Sequence, residues 1–336
     1  MIILGIETSC DETSAAVVED GVKVLSNIVA SQQKLHSRFG GVVPEIACRA
    51  HTETIISVID SAIIEADINI NDINAISVAN TPGLIGALLI GLTTAKMLSW
   101  ILKIPLITTN HLHAHIYASK IEHKDIEYPA ISLVVSGGHT TLFLTHSETK
   151  HTPVGGTIDD AAGEAFDKVG KILGLGYPAG PEIDSISRNG NEQAISFPRS
   201  YMGKESLDFS FSGIKTAVLY HCLGQDTKLD RAKPKLKDQE IADLAASFQE
   251  AVVDVLVDKT IYAATKFSAK VIVLGGGVAS NSRLRQKLGK AAKNQEIPLY
   301  YPSKILCMDN AAMVAGLAYH KYQEKDFAEL NVEAIP

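Results

Sequence analysis

A layout of strands joined by tight turns occurs twice in this sequence, and it restricts the fold more than any other feature. Residues 1–30 read as three strands separated by two turns, with Val and Ile in the strands and an Asp-Gly turn before the third. Residues 130–156 repeat the layout, although not the residues themselves. Helices and a further strand follow each copy, so we predict a duplicated α/β fold with two lobes.

The remaining elements follow from hydrophobic periodicity. We predict helices at about 46–67, 84–102, 110–119, 159–175, 239–266, 281–293 and from about 310, and further strands at 73–80, 104–109, 270–277 and 297–301. The N-terminal lobe is predicted to comprise residues 1–110 plus a returning C-terminal helix at 310–325. The C-terminal lobe is predicted to comprise 111–309, with an irregular, functional insertion around 174–237.

The apolar segments do not indicate a membrane protein. The most apolar helix, 84–103, contains Lys96 and is too short between charges to span a bilayer, so we predict a buried helix. Glu7 interrupts the apolar N-terminus, which excludes a signal peptide there. The 4 cysteines form no C-x-x-C motif, which favours reduced thiols in the cytoplasm.

The net charge of −7 excludes a protein that binds nucleic acid over its whole surface. Two local basic runs remain, at 228–237 and 281–293. In the second, Leu284, Leu288 and Ala291 are predicted to bury, leaving basic side chains outward: Arg285, Lys287, Lys290 and Lys293. Either run can be an ordinary solvated surface or a contact for RNA or a partner protein.

Glycine-rich turns follow two predicted strands, in SGGHTT and LGGGVASN. Such turns present backbone N–H groups to an anion, so together with the repeat they predict a nucleotide cleft between the lobes. A Walker P-loop is absent from the sequence. The GGG run can also serve close packing of helix against strand.

Histidines are concentrated in NHLHAH, residues 110–115. His111 and His115 are four residues apart and share one helical face, whereas His113 faces elsewhere. The pair can be structural or can bind a metal, and Leu112 replaces the glutamate that a zinc-protease motif requires. Asp309 is either an N-cap or a third ligand, and two imidazoles with one carboxylate suit Zn²⁺ or Fe²⁺.

Several motifs, taken together and in order, resemble one family. They are GIETSCDET, FGGVVPEIACRAH, NHLHAH, LVVSGGHT, IDDAAGEAFDKVGKILGLGYPAGP, FSFSGIKTA, LGGGVASN and MDNAAM. The sequence resembles the TsaD family of tRNA N6-adenosine threonylcarbamoyltransferases, in its bacterial or organellar branch. The resemblance implies the fold of actin, heat-shock chaperone ATPases and sugar kinases.

The resemblance also implies roles for individual residues. It makes His111, His115 and Asp309 the ligands of one Fe²⁺ or Zn²⁺. It makes a second set of residues the substrate-binding positions: Val134, Val135, Ser136, Gly137, Gly138, Asp167, Gly180, Asp184 and Asn281. Asp11 and Glu12, in the turn after the first strand, are candidates to take the proton of the attacking amine, and turn or cap chemistry is their alternative role.

The implied reaction moves a threonylcarbamoyl group from threonylcarbamoyl-AMP to N6 of adenine 37, in tRNAs that read codons beginning with A. The implied partners are a shorter paralogue of the same fold (TsaB-type) and a small P-loop ATPase (TsaE-type), with no membrane. Two other hypotheses are a kinase or ATPase of the same fold and a chaperone-like nucleotide-binding module. The basic helix at 281–293 begins at Asn281, so we predict that it helps to dock tRNA; a partner's acidic face is the alternative.

Overall fold

The computed structural model describes residues 1–203, 205–224 and 236–336. These residues divide into two compact units. The first contains Met1–Ile126, Ser147–Lys150 and Tyr301–Pro336, and the second contains Glu127–His146 and the described part of His151–Tyr300. Most of the basic run predicted at 228–237 lies outside the described residues.

Strands and helices alternate in both units. The strands are β1 (Ile2–Glu7), β2 (Glu12–Glu19), β3 (Lys23–Ser31), β4 (Ala75–Thr81), β5 (Leu106–Asn110), β6 (Ala130–Val135), β7 (Thr140–Thr145), β8 (His151–Gly156), β9 (Val271–Gly275) and β10 (Leu299–Tyr300). The helices are α1 (Gln33–Ser37), α2 (Pro44–Glu65), α3 (Ile85–Leu102), α4 (His111–Glu122), α5 (Ala162–Leu173), α6 (Gly180–Ile186), α7 (Ser212–Leu223), α8 (Asp238–Lys266), α9 (Ser282–Asn294), α10 (Lys304–Cys307) and α11 (Ala311–Gln323).

The two sheets have the same topology. The strand order is β3-β2-β1-β4-β5 in the first unit and β8-β7-β6-β9-β10 in the second. In each, the first three strands are antiparallel neighbours, and the last two run parallel to the central strand. The predicted duplicated α/β fold is therefore confirmed.

The parallel strands are buried because helices cover both faces of their sheet. In the first unit, α4 and α11 pack on one face with Ile3 and Ala75, while α2 and α3 pack on the other with Leu4 and Ile76. Successive side chains of a strand point to opposite faces, so β1 needs apolar residues at consecutive positions. This explains the run IILGIE, in which only the final residue is charged.

The boundary between the units differs from the prediction of residue 110. Helix α4 belongs to the first unit, as do residues 301–309. The reason is packing: Ala114, Tyr117 and Ile121 of α4 enter the same core cluster as α11. The Tyr117 hydroxyl also donates to the Gly21 carbonyl at 3.2 Å.

Helix α3 is less buried than its apolar sequence predicts. Among the described residues it is the one helix long and apolar enough to cross a membrane, a test that core helices also pass, and 39% of it is buried. One face packs on the sheet through Leu88, Leu92 and Ala95. The opposite face exposes large apolar side chains: Ile85, Leu89, Met97, Trp100 and Ile101.

The region predicted to be irregular, 174–237, contains two helices. Helix α6 spans Gly180–Ile186 and α7 spans Ser212–Leu223. The N-terminus of α7 is capped from a distance, since Asp159 accepts hydrogen bonds from the backbone N–H groups of Phe211 and Ser212 and from the Ser212 hydroxyl. A cap supplied by a residue so far away in sequence gives no local start signal, which is why the sequence did not indicate this helix.

Candidate metal centre and nucleotide-binding edge

The carboxyl ends of the parallel strands of the first unit bring chemistry-bearing residues together. Strand β1 ends at Glu7, and β5 ends at Asn110, directly before α4. The Asn110 side chain caps α4 by accepting the backbone N–H groups of Leu112 and His113 at 2.8 and 3.1 Å. This cap fixes where the helix begins and therefore which way its first histidine points.

His111, His115 and Asp309 meet at this edge, as predicted. Their candidate ligand atoms all lie within 4.8 Å of one another. Asp309 Oδ1 lies 3.0 Å from His115 Nε2 and 3.6 Å from His111 Nε2. Both imidazoles are buried and their ring centroids are 4.6 Å apart. His113 is not part of this group.

Glu7 orients His111, and the sequence analysis missed this role. One carboxylate oxygen of Glu7 lies 3.1 Å from Nδ1 of His111, and the other accepts the backbone N–H of Ser9 at 2.6 Å. A carboxylate on one ring nitrogen holds the proton there and directs the other nitrogen towards a metal. The available signal was a carboxylate at the end of a strand that is otherwise entirely apolar.

The electrostatics of the two imidazoles differ. Burial lowers the pKa of His111, but the carboxylates of Glu7 and Asp309 outweigh burial and raise it to about 9. Burial also lowers the pKa of His115, and there the hydrogen bond to Asp309 does not compensate. His115 is therefore held as a neutral imidazole, the form that binds metals.

These residues fit a divalent transition metal. Two imidazole nitrogens and one carboxylate oxygen are a donor set that Fe²⁺ and Zn²⁺ accept, with coordination positions left for other ligands. Nδ1 of His115 is buried without a hydrogen-bond partner among the described residues. A buried ring nitrogen of this kind calls for a partner of its own, such as a bound water or ion.

Glu12 and Cys10, the two neighbours of Asp11 in the turn, lie within the electrostatic reach of Asp309. Burial, the charges of Asp309 and Asp11, and a hydrogen bond with Asp11 raise the pKa of Glu12 to about 9. Burial and the neighbouring acids also raise the pKa of Cys10, which keeps its thiol protonated and removes it as a nucleophile. The turn after β1 therefore carries two adjacent acids, and the raised pKa of Glu12 suits general acid–base chemistry.

This acid pair predicts a pH-dependent change of stability in chelator-treated protein. Because the pKa of Glu12 is raised from 4.5 to about 9 on folding, the folded state binds more protons between those values, and stability falls as pH rises through that window. Glu12→Gln removes the effect. The variant should be more stable than wild type by about 1–3 kcal/mol at pH 8 and no more stable near pH 4. Urea unfolding across pH measures this, and parallel curves for the two proteins would contradict it.

A corresponding edge of the second unit carries the predicted substrate residues. Strands β6 and β9 are parallel, so the turns that follow them, SGGH and GGGVASN, lie at the same end of the sheet. The backbone N–H of Gly163, in the first turn of α5, donates to the Ser136 carbonyl at 3.2 Å. A Cβ on Gly163 would lie 2.5 Å from that oxygen, so only glycine allows this approach.

The SGGH turn itself is open. A Cβ on Gly137 or Gly138 would have no heavy atom within 4 Å, and both glycines are exposed. Val134 and Val135 differ, because they are the last residues of β6 and are completely buried in the core. Their apolar side chains serve packing, so a ligand contact at Val134 or Val135 would have to use the backbone.

Asp167, Asp184 and Gly180 lie on two consecutive helices beside this turn. Asp167 of α5 accepts the backbone N–H of Ala179 at 2.8 Å, directly before Gly180 at the start of α6. Asp184 of α6 accepts the backbone N–H and hydroxyl of Ser282 at 3.1 and 2.8 Å. Asp167 thus joins α5 to the start of α6, and Asp184 joins α6 to the start of α9 while its other oxygen lies 3.5 Å from Arg188.

Asn281 is the N-cap of α9. Its side-chain oxygen accepts the Leu284 N–H at 2.9 Å, and its amide nitrogen donates to Gln249 at 2.7 Å. Gln249 is buried on α8 and was not predicted to be relevant. It fixes the amide orientation of Asn281, so that one N–H of the amide remains for a ligand.

The basic face of α9 is smaller than predicted. Lys287 contacts Glu250 and Asp254 of α8, and Arg283 pairs with Glu250 at 2.6 Å and with Glu192 at 2.9 Å. Lys287 is therefore an internal ion-pair partner and not an outward charge. Lys290 and Lys293 are exposed as predicted. The buried residues are Leu284, Leu288 and Ala292, which are spaced four residues apart on one face of the helix. Ala291, which was predicted to be buried, lies beside this face.

Comparison with known proteins gives one consistent family. The sequence profile described as "TsaD: tRNA N6-adenosine threonylcarbamoyltransferase" matches residues 23–316. A protein of that name from Moorella thermoacetica is 50% identical over 99% of this chain and 96% of its own length. One from Clostridium beijerinckii is 50% identical over 100% and 97%, and one from Clostridioides difficile is 47% identical over 100% and 97%.

More distant solved structures share the fold. Component A of the (R)-2-hydroxyglutaryl-CoA dehydratase of Acidaminococcus fermentans has a TM-score of 0.56 at 14% identity, covering 96% of this chain and 99% of its own. HypF in its phosphate- and nucleotide-bound form has a TM-score of 0.59 at 14% identity, covering 100% of this chain and 47% of its own. These similarities confirm the α/β fold of the actin-like and sugar-kinase type. By its sequence over nearly its whole length, the chain belongs to the TsaD family of tRNA N6-adenosine threonylcarbamoyltransferases.

Proposed function

We propose that this chain transfers the threonylcarbamoyl group of threonylcarbamoyl-AMP to N6 of adenine 37, in tRNAs that read codons beginning with A. The observation that carries the proposal is the buried group of His111, His115 and Asp309 beside the acid pair Asp11 and Glu12, in a chain of this family. A kinase of the same fold needs a Mg²⁺ site of carboxylates and waters, which an imidazole pair does not supply.

The three ligands hold one divalent ion, for which we propose Fe²⁺ or Zn²⁺. When bound, such an ion polarises oxygen atoms of the carbamoyl donor. Glu7 keeps His111 oriented for this task through the 3.1 Å contact to Nδ1. Asp309 has 19% of its side chain exposed, so the group is accessible from outside the core.

The acid pair moves the proton. The exocyclic amine of adenine is a weak nucleophile and loses a proton as it forms the new C–N bond, so it needs a positioned base. We assign this role to Asp11 and Glu12, two adjacent acids of which Glu12 has a raised pKa. A nearby cation favours the ionised form of a carboxyl, so the raised pKa of Glu12 falls towards the working range once the site is loaded. AMP is the leaving group and carries away the electron pair of the anhydride C–O bond.

The adenylate is bound by the second unit. The SGGH turn is open enough for a phosphate to approach the backbone of Gly137 and Gly138. Asp167 and Asp184 accept hydrogen bonds from hydroxyl or amino groups of the donor, and Asn281 donates one. Gly180 allows close approach at the first turn of α6, where a Cβ would contact nothing within 4 Å.

We also propose that the protein acts in the cytoplasm with two partners, a shorter TsaB-type paralogue and a TsaE-type P-loop ATPase. The exposed apolar face of α3 supports a protein partner. Leu89, Trp100 and Ile101 are exposed there, and large exposed apolar patches are typical of protein interfaces.

Reconstitution tests the proposal most directly. The purified chain is incubated with tRNA and threonylcarbamoyl-AMP, and the two partners are added one at a time. Nucleoside analysis of digested tRNA should then show threonylcarbamoyladenosine only when this chain is present. Hydrolysis of ATP or phosphorylation of a sugar by this chain alone, with unmodified tRNA, would favour the kinase alternative. Nucleotide binding without either reaction in the complete mixture would favour a binding module.

The exposed end of α9 predicts a contribution to tRNA binding. Lys290→Glu with Lys293→Glu should weaken tRNA binding and reduce the slope of log affinity against log salt by about 1–2, since each phosphate contact contributes about 0.9. Lys266→Glu with Lys270→Glu is the control, because it changes the charge of the same unit equally at exposed positions. An unchanged salt slope together with failed assembly with the paralogue would make α9 a protein interface instead.

A further inference from the structure

The first unit contains a second group of buried polar side chains, apart from the metal ligands. Gln32 lies before α1, His36 in α1 and His51 in α2, and all three are at most 4% exposed. Buried polar groups are costly unless they are hydrogen-bonded, and a neutral imidazole donates from one nitrogen and accepts at the other. The bonds of these residues therefore determine where each proton sits.

The direction of the bonds follows from their first donor. The backbone N–H of Val43 donates to Nδ1 of His36 at 3.3 Å, so this nitrogen carries no proton. Nε2 of His36 then donates to the side-chain oxygen of Gln32 at 3.2 Å. The amide nitrogen of Gln32 donates in turn to Nδ1 of His51 at 3.3 Å.

His51 consequently carries its proton on Nε2. That N–H donates to the backbone carbonyl of Cys10 at 3.0 Å, and a carbonyl can only accept. The Thr13 hydroxyl lies 2.8 Å from Nδ1 of His51 and donates to it, which agrees with the same tautomer. Burial lowers the pKa of His51, although the bond to Cys10 opposes burial, so the ring stays neutral.

The series ends on the turn that carries the acid pair. The Cys10 carbonyl belongs to the peptide that joins Cys10 to Asp11. The backbone N–H of Gln32 donates to the Asp11 carbonyl at 3.0 Å, and the Ser31 hydroxyl donates to the Glu12 carboxylate at 3.1 Å. The turn is thus held on one side by Ser31 and Gln32, at the end of β3, and on the other side by His51 of α2. Gln32 also bonds His51, so the two sides are connected.

We propose that His51 is a positioning residue for the acid pair, and that the series of bonds from Val43 through His36, Gln32 and His51 to Cys10, here termed the relay, orients it. This inference rests on the proposed function, since it concerns the same reaction. Without the relay the Cys10 carbonyl loses its donor while the bonds from Gln32 and Ser31 remain, so the turn is held less firmly and Asp11 and Glu12 spend less time in place. The predicted adenylate residues lie outside the relay, so donor binding is unaffected.

Kinetics of the complete reconstituted system provide the first test. His51→Leu should lower kcat at least tenfold while KM for threonylcarbamoyl-AMP changes less than twofold. His51→Gln keeps an N–H donor near the position of Nε2 and should recover a substantial part of the lost kcat. Ile59→Ala is the control: Ile59 is buried on the same helix, so the variant loses stability through a cavity away from the turn. It should leave kcat unchanged at temperatures where it is folded.

Wild-type kcat in folded His51→Leu, or equal loss in the Gln and Leu variants, would overturn the positioning role. If His51→Leu does not fold, Gln32→Met interrupts the relay while Thr13 still contacts His51, and it should give a smaller fall in kcat with unchanged KM. Wild-type kcat in that variant would overturn the relay.

Nitrogen NMR of the histidine rings provides a test that does not depend on activity. Both His36 and His51 should be neutral with the proton on Nε2, in the wild-type protein without substrates. A proton on Nδ1 of His51 would overturn the relay whether or not the chain is active. Absence of transfer by wild type in the complete mixture would instead refute the proposed function and leave the tautomer result standing.

Discussion

His111→Ala should abolish metal binding. The substitution removes one of the three proposed ligands, so the ion is lost. It also leaves the buried carboxylate of Glu7 beside a cavity, without its imidazole partner. We expect one Fe²⁺ or Zn²⁺ per wild-type chain and none in the variant, with transfer lost in parallel. Elemental analysis of protein purified without added metal, followed by titration with each ion, measures this.

Two further variants should bind metal better than His111→Ala does, and they serve as comparisons. His113→Ala should retain the metal, because His113 is outside the group of ligands. Glu7→Gln should bind metal about 10–100-fold more weakly, as expected when a carboxylate that orients a ligating histidine is removed. Equal metal loss in the His111 and His113 variants would refute the assignment of the ligands.

Gly138→Val should weaken binding of AMP at least tenfold without destabilising the protein. A Cβ at Gly138 meets no atom within 4 Å, so the new side chain has room in the protein itself and interferes only with a phosphate that approaches the backbone. Calorimetry with AMP measures the affinity, and thermal unfolding verifies that stability is retained.

Gly289→Ala is the matched control for this substitution. Gly289 lies within α9, and its Cβ would meet only Leu299 Cδ2 at 3.9 Å, an ordinary contact. Alanine is favoured over glycine inside a helix by about 0.5–1 kcal/mol, so this variant should be slightly more stable and bind AMP normally. Unchanged AMP affinity in Gly138→Val would exclude the SGGH turn as the phosphate site.

The fold was predictable because its signals are local and repeated. Strand alternation, the Asp-Gly turn and the second copy of the layout suffice to predict a duplicated α/β fold. The two sheets indeed have the same strand order. The shared face of His111 and His115 on α4 was predictable from their spacing of four residues, whereas their role as ligands came from the family resemblance. In each case the informative residues are close together in sequence.

What was not predictable depends on contacts between distant residues. Glu7 contacts His111 across 104 positions, and Asp159 caps α7 across more than 50. Glu250 neutralises Lys287 from a neighbouring helix, so counting charges along α9 overestimated its basic face. The burial of the Val134 and Val135 side chains was likewise not evident, because a motif does not distinguish residues that line a turn from those that pack beneath it.

The shared strand order of the two sheets has a consequence for the substitutions that each part tolerates. After β1 the chain continues into a turn of acids, whereas after β6, the equivalent strand, it continues into a turn with two glycines. The sheets below are held by their own buried side chains, so either turn can change without loss of its sheet. We therefore expect the strands to tolerate substitutions that keep side-chain volume, and the turns to tolerate substitutions that keep charge.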